Sequence, residues 1–219
     1  MLIDISLAGT KQLKERQKLF NLTTWCICQL YLSCLGKYSS GVFKKAIVNV
    51  VQKETDHNVI ENMVDVILIH KTFDFEQFFQ LENKYAKKKI LLDILHEGLI
   101  TMAKHEGWDI DPLLNAYNCC FKKNLEYKWL RGDKYILSPD KKYFAGIFCN
   151  WDIDKFEVIA IFLNKHKEEI ERVKLYEREP NDVDPMGKMG WDKLTGEFYL
   201  FSKDKRQKWV AIPHPQTGQ

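Results

Sequence analysis

Two histidine–glutamate pairs, His96-Glu97 and His105-Glu106, are the residues whose types could most directly do chemistry. A zinc hydrolase needs two histidines at i and i+4, so that both imidazoles reach one ion from one helix face. Here the pairs stand nine residues apart. On a helix that is two and a half turns, which sets them on opposite sides. The carboxylate pairs Asp152 with Asp154 and Asp182 with Asp184 fall in expected loops, whereas glycoside hydrolysis needs a fixed separation on rigid elements. Six cysteines occur, at 26, 28, 34, 119, 120 and 149, without the paired C-x-x-C knuckles of a zinc site. They read as buried free thiols of a reducing cytoplasm. No G-x-G-x-x-G, G-x-x-x-x-G-K-[ST] or G-x-S-x-G stretch is present to cradle phosphate or present a nucleophile. The residues therefore point away from catalysis, with no catalytic residue, metal or cofactor expected. The rival reading is a small hydrolase or nucleotide-handling enzyme using His96, Glu97, His105 or Glu106 at a helix–sheet junction.

Binding is the leading class that remains. Two stretches combine aromatics with acids: Trp151, Asp152, Asp154 and Glu157, then Asp182, Asp184, Trp191 and Asp192. Aromatic anchors ringed by carboxylates suit a protein partner with a basic surface. The competing reading makes the tryptophans core residues and the acids solvated turn formers. The net charge is +3. Residues 1–124 carry 16 basic against 14 acidic side chains, and 125–219 carry 17 against 16. Neither half is a basic nucleic-acid footprint.

The elements that must position these residues change period at residue 125. Before it, apolar residues recur at helical spacing. The clearest case is Lys89–Lys123, where Ile90, Leu91, Ile94, Leu95, Leu99, Met102 and Ala103 line one helix. Gly107 ends that helix, and Asp111-Pro112 starts another. Further helices are expected from Thr10 to Leu35, over Val42–Val51, from Asp56 through Leu68, and from Thr72 or Asp74 to Tyr85. The apolar window Leu19–Leu35 is broken by Asn21, Thr23, Thr24, Gln29 and Ser33, so it reads as a core helix and not a membrane span. Asp4 interrupts the start, so no signal peptide is expected. After residue 125 short alternating runs are joined by turns, with Phe156–Leu163 the most apolar and so expected centrally. A long polar connection is expected over Glu177–Lys188. Ser138-Pro139-Asp140-Lys141-Lys142-Tyr143 resembles a propeller-blade turn but reads as a single copy. Arg131-Gly132-Asp133 reads as a hairpin turn. The fold class expected is α+β, with an N-terminal helical bundle (1–124) packed as one unit on a C-terminal antiparallel β-meander (125–219).

The stretch LLDILHEGLITMAKHEGWDIDPLLNAYNCC, followed by Tyr127-Lys128-Trp129, SPDKKYFAGIF and the strand carrying Asp152-Ile153-Asp154, resembles immunity proteins of bacterial polymorphic toxin systems. These include guardians against contact-dependent growth inhibition toxins. The resemblance covers residues 85–180. It implies a cytoplasmic, non-enzymatic protein that binds a cognate toxin domain, often a nuclease, and neutralises it. From charge and hydropathy, neither a nucleic-acid nor a membrane partner is expected. Contact residues vary within such proteins, so none transfers by motif.

Overall fold

In the computed structural model, which describes residues 1–9, 14–52, 59–180 and 186–214, the stretches Lys45–Val51 and Val66–Thr72 are strands. The helices expected over both are overturned, and the N-terminal helical bundle with them. Apolar residues at 43, 46, 47, 50 and 51 do satisfy helical spacing. Ala46, Val48 and Val50 also alternate, and all three are fully buried while Ile47 between them is only half-buried. The β-branched side chains Ile47, Val48, Val50 and Val51 pack better on a pleated surface than against a helix turn. Thr10 and Asp56, the expected caps, lie outside the described residues.

The chain divides into two units, Met1–Tyr127 with Asp152–Asp154, and Lys128–Trp151 with Lys155–Gln219. The first runs β1 (Asp4–Gly9), α1 (Lys14–Leu35), β2 (Lys45–Val51), β3 (Ile60–Met63), β4 (Val66–Thr72), α2 (Phe75–Gln80), α3 (Lys84–Glu106), α4 (Asp111–Lys122). Its sheet has the order β1-β2-β4-β3. The β1–β2 and β2–β4 pairs are parallel, and β3–β4 is antiparallel. Helix α1 is the crossover that a parallel β1–β2 pair requires. The register lines up Ile5, Ala46 and Ile67, then Leu7, Val48 and Ile69, all fully or almost fully buried. Helix α3 lies directly on this row. A Cβ added at Gly98 would stand 2.4 Å from Val48 Cγ2, so glycine permits the approach.

The helix ends follow ordinary capping chemistry. Asp74 accepts from Gln77 N at 2.9 Å and Asn83 accepts from Ala86 N at 3.0 Å. Gly107 closes α3 at φ 69°, as its position in the sequence requires. At α4 the N-cap is Ile110, not the expected Asp111, and it makes no side-chain cap bond; Asp109 accepts the Asp111 N–H at 3.1 Å. The thiols are a further correction. Cys34 of α1 and Cys119 of α4 form a disulfide with Cα atoms 5.9 Å apart, while Cys26, Cys28 and Cys120 are free and buried and Cys149 is buried beside Met186.

The second unit matches the strand reading more closely, but it is not one meander. β5 (Tyr127–Leu130), β6 (Ile136–Leu137), β7 (Phe144–Trp151), β8 (Phe156–Leu163) and β9 (Glu169–Arg178) form one sheet, ordered β5-β7-β8-β9 with β6 also on β7. β8 is flanked on both sides, as its apolar run demands. β10 (Met186–Trp191), β11 (Phe198–Ser202) and β12 (Lys208–Ala211) form a separate antiparallel sheet. β10 begins inside the stretch expected to be a polar connection. One core joins both sheets: Ile147, Val158 and Phe162 from the first, Met186, Phe198 and Leu200 from the second.

The Ser138–Tyr143 turn is not a single copy. Ser138 Oγ bonds Asp140 at 2.6 Å and accepts Tyr143 N at 3.0 Å. Ser202 Oγ bonds Asp204 at 2.6 Å and accepts Gln207 N at 3.0 Å, with Lys141 and Lys205 both at positive φ. Arg131-Gly132-Asp133 is a short 3-10 turn whose guanidinium donates to the Gly187 carbonyl at 2.7 Å. Among the described residues no helix is long and apolar enough to cross a membrane.

Candidate functional site

The acids and aromatics singled out in the sequence are shared between the two units. Asp152 and Asp154 group with the first unit. Asp152 lies 2.7 Å from Lys88 Nζ and also accepts the Ile153 N–H at 2.8 Å. Burial works against its ionised form, but the Lys88 bond, the Ile153 N–H and the Lys84 charge outweigh it. Its carboxyl therefore titrates below the usual range. Asp154 is 2.6 Å from Lys84 Nζ. In the second unit Glu157 accepts from Lys155 at 2.9 Å and Asn150 at 2.8 Å, and the Lys155 bond lowers its pKa.

Trp151 packs beside Phe156, with ring centroids 5.4 Å apart. Trp191 packs on Phe198 and donates its indole N–H to the Ile136 carbonyl at 2.9 Å. Asp192 accepts the N–H groups of Leu194 and Thr195, which depresses its pKa and holds its turn. Asp182 and Asp184 lie outside the described residues. Every described acid of the set thus has a bond within its own unit.

The two His-Glu pairs do not converge either. His105 and Glu106 bond each other at 3.0 Å, and Glu106 also takes Asn62 at 3.1 Å. Glu97 is exposed and reaches Lys71 at 3.8 Å. His96 turns to a different set. Its ring stacks on Tyr117 at 4.3 Å, and Nδ1 lies 2.9 Å from the Tyr31 hydroxyl. Tyr31 also reaches the Leu113 carbonyl at 3.0 Å. A carbonyl only accepts, so the single Tyr31 proton goes there and His96 Nδ1 carries its own proton. Tyr117 donates to Asp93 at 2.7 Å, and burial with that bond pushes its hydroxyl up to about 12. Burial also holds His96 below its ordinary pKa. The cluster locks α1, α3 and α4 together, which is structural work the histidine count did not reveal.

The free thiols are poor nucleophiles, because burial pushes Cys28 and Cys120 up to about 12 and Cys26 higher still. Among the described residues no three His, Cys, Asp or Glu side chains gather as a metal would need.

What the first unit does present is apolar surface. A cleft of about 240 Å³ opens beside β1, with Leu7, Trp25, Cys28 and Ile47 in its walls. At the starts of β1, β2 and β4 stand Ile3, Val42, Met63 and Val64, exposed by 57%, 72%, 50% and 95%. Apolar residues exposed together in this way mark interaction surfaces in folded proteins. Sequence reading missed this group because it placed Val42, Met63 and Val64 on buried helix faces. No family model, curated protein or solved structure matches the chain.

Proposed function

We propose that this chain is an immunity protein. It binds a cognate antibacterial toxin domain, a nuclease, in the cytoplasm and neutralises it by covering its active site. The reading rests on the pattern over residues 85–180. The α3–α4 hairpin that carries this pattern ends its first helix at Gly107. The observation that carries a binding role is the exposed apolar group at Ile3, Val42, Met63 and Val64.

The contact surface moves accordingly. Asp152 and Asp154, the first choice from the sequence, already face Lys88 and Lys84. Recruiting Asp152 to a partner would strand the buried Lys88 charge. Apolar burial at the contact, with charge at its rim, is the stronger source of affinity.

The test is co-expression with the product of the neighbouring gene. Growth restored in a strain producing that toxin, with the two proteins co-eluting, is the expected result. Growth arrest undiminished by a folded, soluble chain overturns the proposal.

A further inference from the structure

We infer that the β3–β4 turn is a docking anchor, in which Val64 enters an apolar socket on the toxin domain and the fold accepts backbone strain to present it. The toxin as occupant rests on the immunity reading above; the anchor itself rests on geometry.

β3 and β4 pair with Met63 opposite Val66, which leaves a two-residue turn, Val64-Asp65. Such turns need positive φ at the first central position, the place of Asn or Gly. Val64 sits there at φ 54°. A β-branched residue in this region is a steric outlier, and outliers of this kind persist where surroundings over-determine them. The surroundings are visible. The Asp65 carbonyl accepts Lys44 N at 2.7 Å and Lys45 N at 3.2 Å, and Lys44 Nζ lies 3.3 Å from the Asp65 carboxylate. The turn is therefore bolted to β2.

The Val64 side chain gains nothing from this in the isolated chain, since it is 95% exposed. Asn would relieve the backbone and suit water better. A residue that is wrong for both its backbone and its solvent is explained by a third requirement, contact with something else. Its neighbours agree. Ile3 N bonds the Lys44 carbonyl at 2.8 Å, so Ile3, Lys44 and Asp65 stand side by side. Val42 and Met63 are each within two residues of that row.

The rim selects the occupant. Lys44 pairs with Asp65 and Lys45 with Asp4, at 3.3 and 2.7 Å. Anionic lipid headgroups favour an excess of cations, and these carboxylates cancel it. A protein socket with an apolar floor and both signs of charge at its edge matches the rim better.

The experiment compares the full chain with Val64→Asn and Val42→Ser, in growth protection and in affinity for the purified toxin domain. Val64→Asn should unfold at the same or higher urea concentration than the parent. Its affinity should fall about tenfold or more, the worth of burying one valine side chain. A parent that protects alongside a Val64→Asn variant of equal affinity overturns the anchor and leaves the immunity reading standing. A parent that neither binds nor protects fails the immunity reading, and the toxin as occupant falls with it. A parent dimer in light scattering that Val64→Asn turns to monomer, or a parent that co-sediments with phosphatidylserine vesicles, overturns the socket by naming another occupant.

Discussion

Lys88 and Asp152 form an ion pair at 2.7 Å in which the two side chains are only 10% and 18% exposed. A buried pair of this kind adds little over a well-packed apolar pair, yet breaking it is costly because one charge is stranded. Lys88→Met should lower stability by about 3–5 kcal/mol, while Lys88→Met with Asp152→Leu recovers most of the loss. Urea titrations of the parent, single and double variants measure this. The pair also sets an acid limit. The Asp152 pKa is depressed in the folded state, so its stabilisation is complete above the unfolded carboxyl value of about 3.9 and is lost as pH falls through the folded value. Asp152→Asn should flatten that part of the stability–pH curve.

The Cys34–Cys119 link closes a separation of 85 residues. In the chain-entropy account a loop of that length stabilises by about 4.6 kcal/mol, mostly by restricting the unfolded state. Oxidised protein should therefore unfold at higher urea than protein held in dithiothreitol. Alkylation followed by mass spectrometry should show Cys34 and Cys119 modified only after reduction. In a reducing cytoplasm the pair would work as thiols, and Tyr31, bonded to the Leu113 carbonyl, would still tie α1 to α4, with Tyr38 and the Asp109 carbonyl joining the segments beside them.

His96 should stay neutral, with its proton on Nδ1, at a pH where a free imidazole is already charged. Its folded pKa is lowered by burial. The stabilisation that follows is present above the unfolded value of about 6.5 and is lost as pH falls through the folded value. Imidazole nitrogen shifts in NMR read both the tautomer and the titration. Tyr31→Phe strips the Leu113 carbonyl and His96 Nδ1 of a partner and should cost about 1–3 kcal/mol.

Gly98 tests the correction to the fold. On an isolated helix Gly98→Ala would gain about 1 kcal/mol. Here the new methyl meets Val48 at 2.4 Å, so the variant should instead lose about 1–3 kcal/mol. Val48→Ala in the same chain should recover part of it. A stabilised Gly98→Ala protein would mean that α3 does not lie on β2.

The helices and the antiparallel strands were legible because their signals are local. Gly107 declares a helix end, and the alternation from residue 127 onward declares strands joined by turns. The parallel sheet was not legible. Along β2 and β4 the apolar residues satisfy periods of both 2 and 3.6, and each parallel partner lies beyond an intervening element. The β-branched content of Ile47–Val51 was the available signal. The acids at 152 and 154 were readable as loop residues, but their lysines, at 84 and 88, are some seventy positions away. Val64 was hidden for the same reason as its strand: only once a turn is known at 64–65 does a valine there become anomalous.

The decisive measurement is calorimetry between the full chain and the purified product of the neighbouring gene. An immunity protein should bind it one-to-one with submicromolar affinity, and with a negative heat-capacity change from burial of the apolar surface around Val64. No binding heat across a range of temperatures, with both proteins folded, would contradict it.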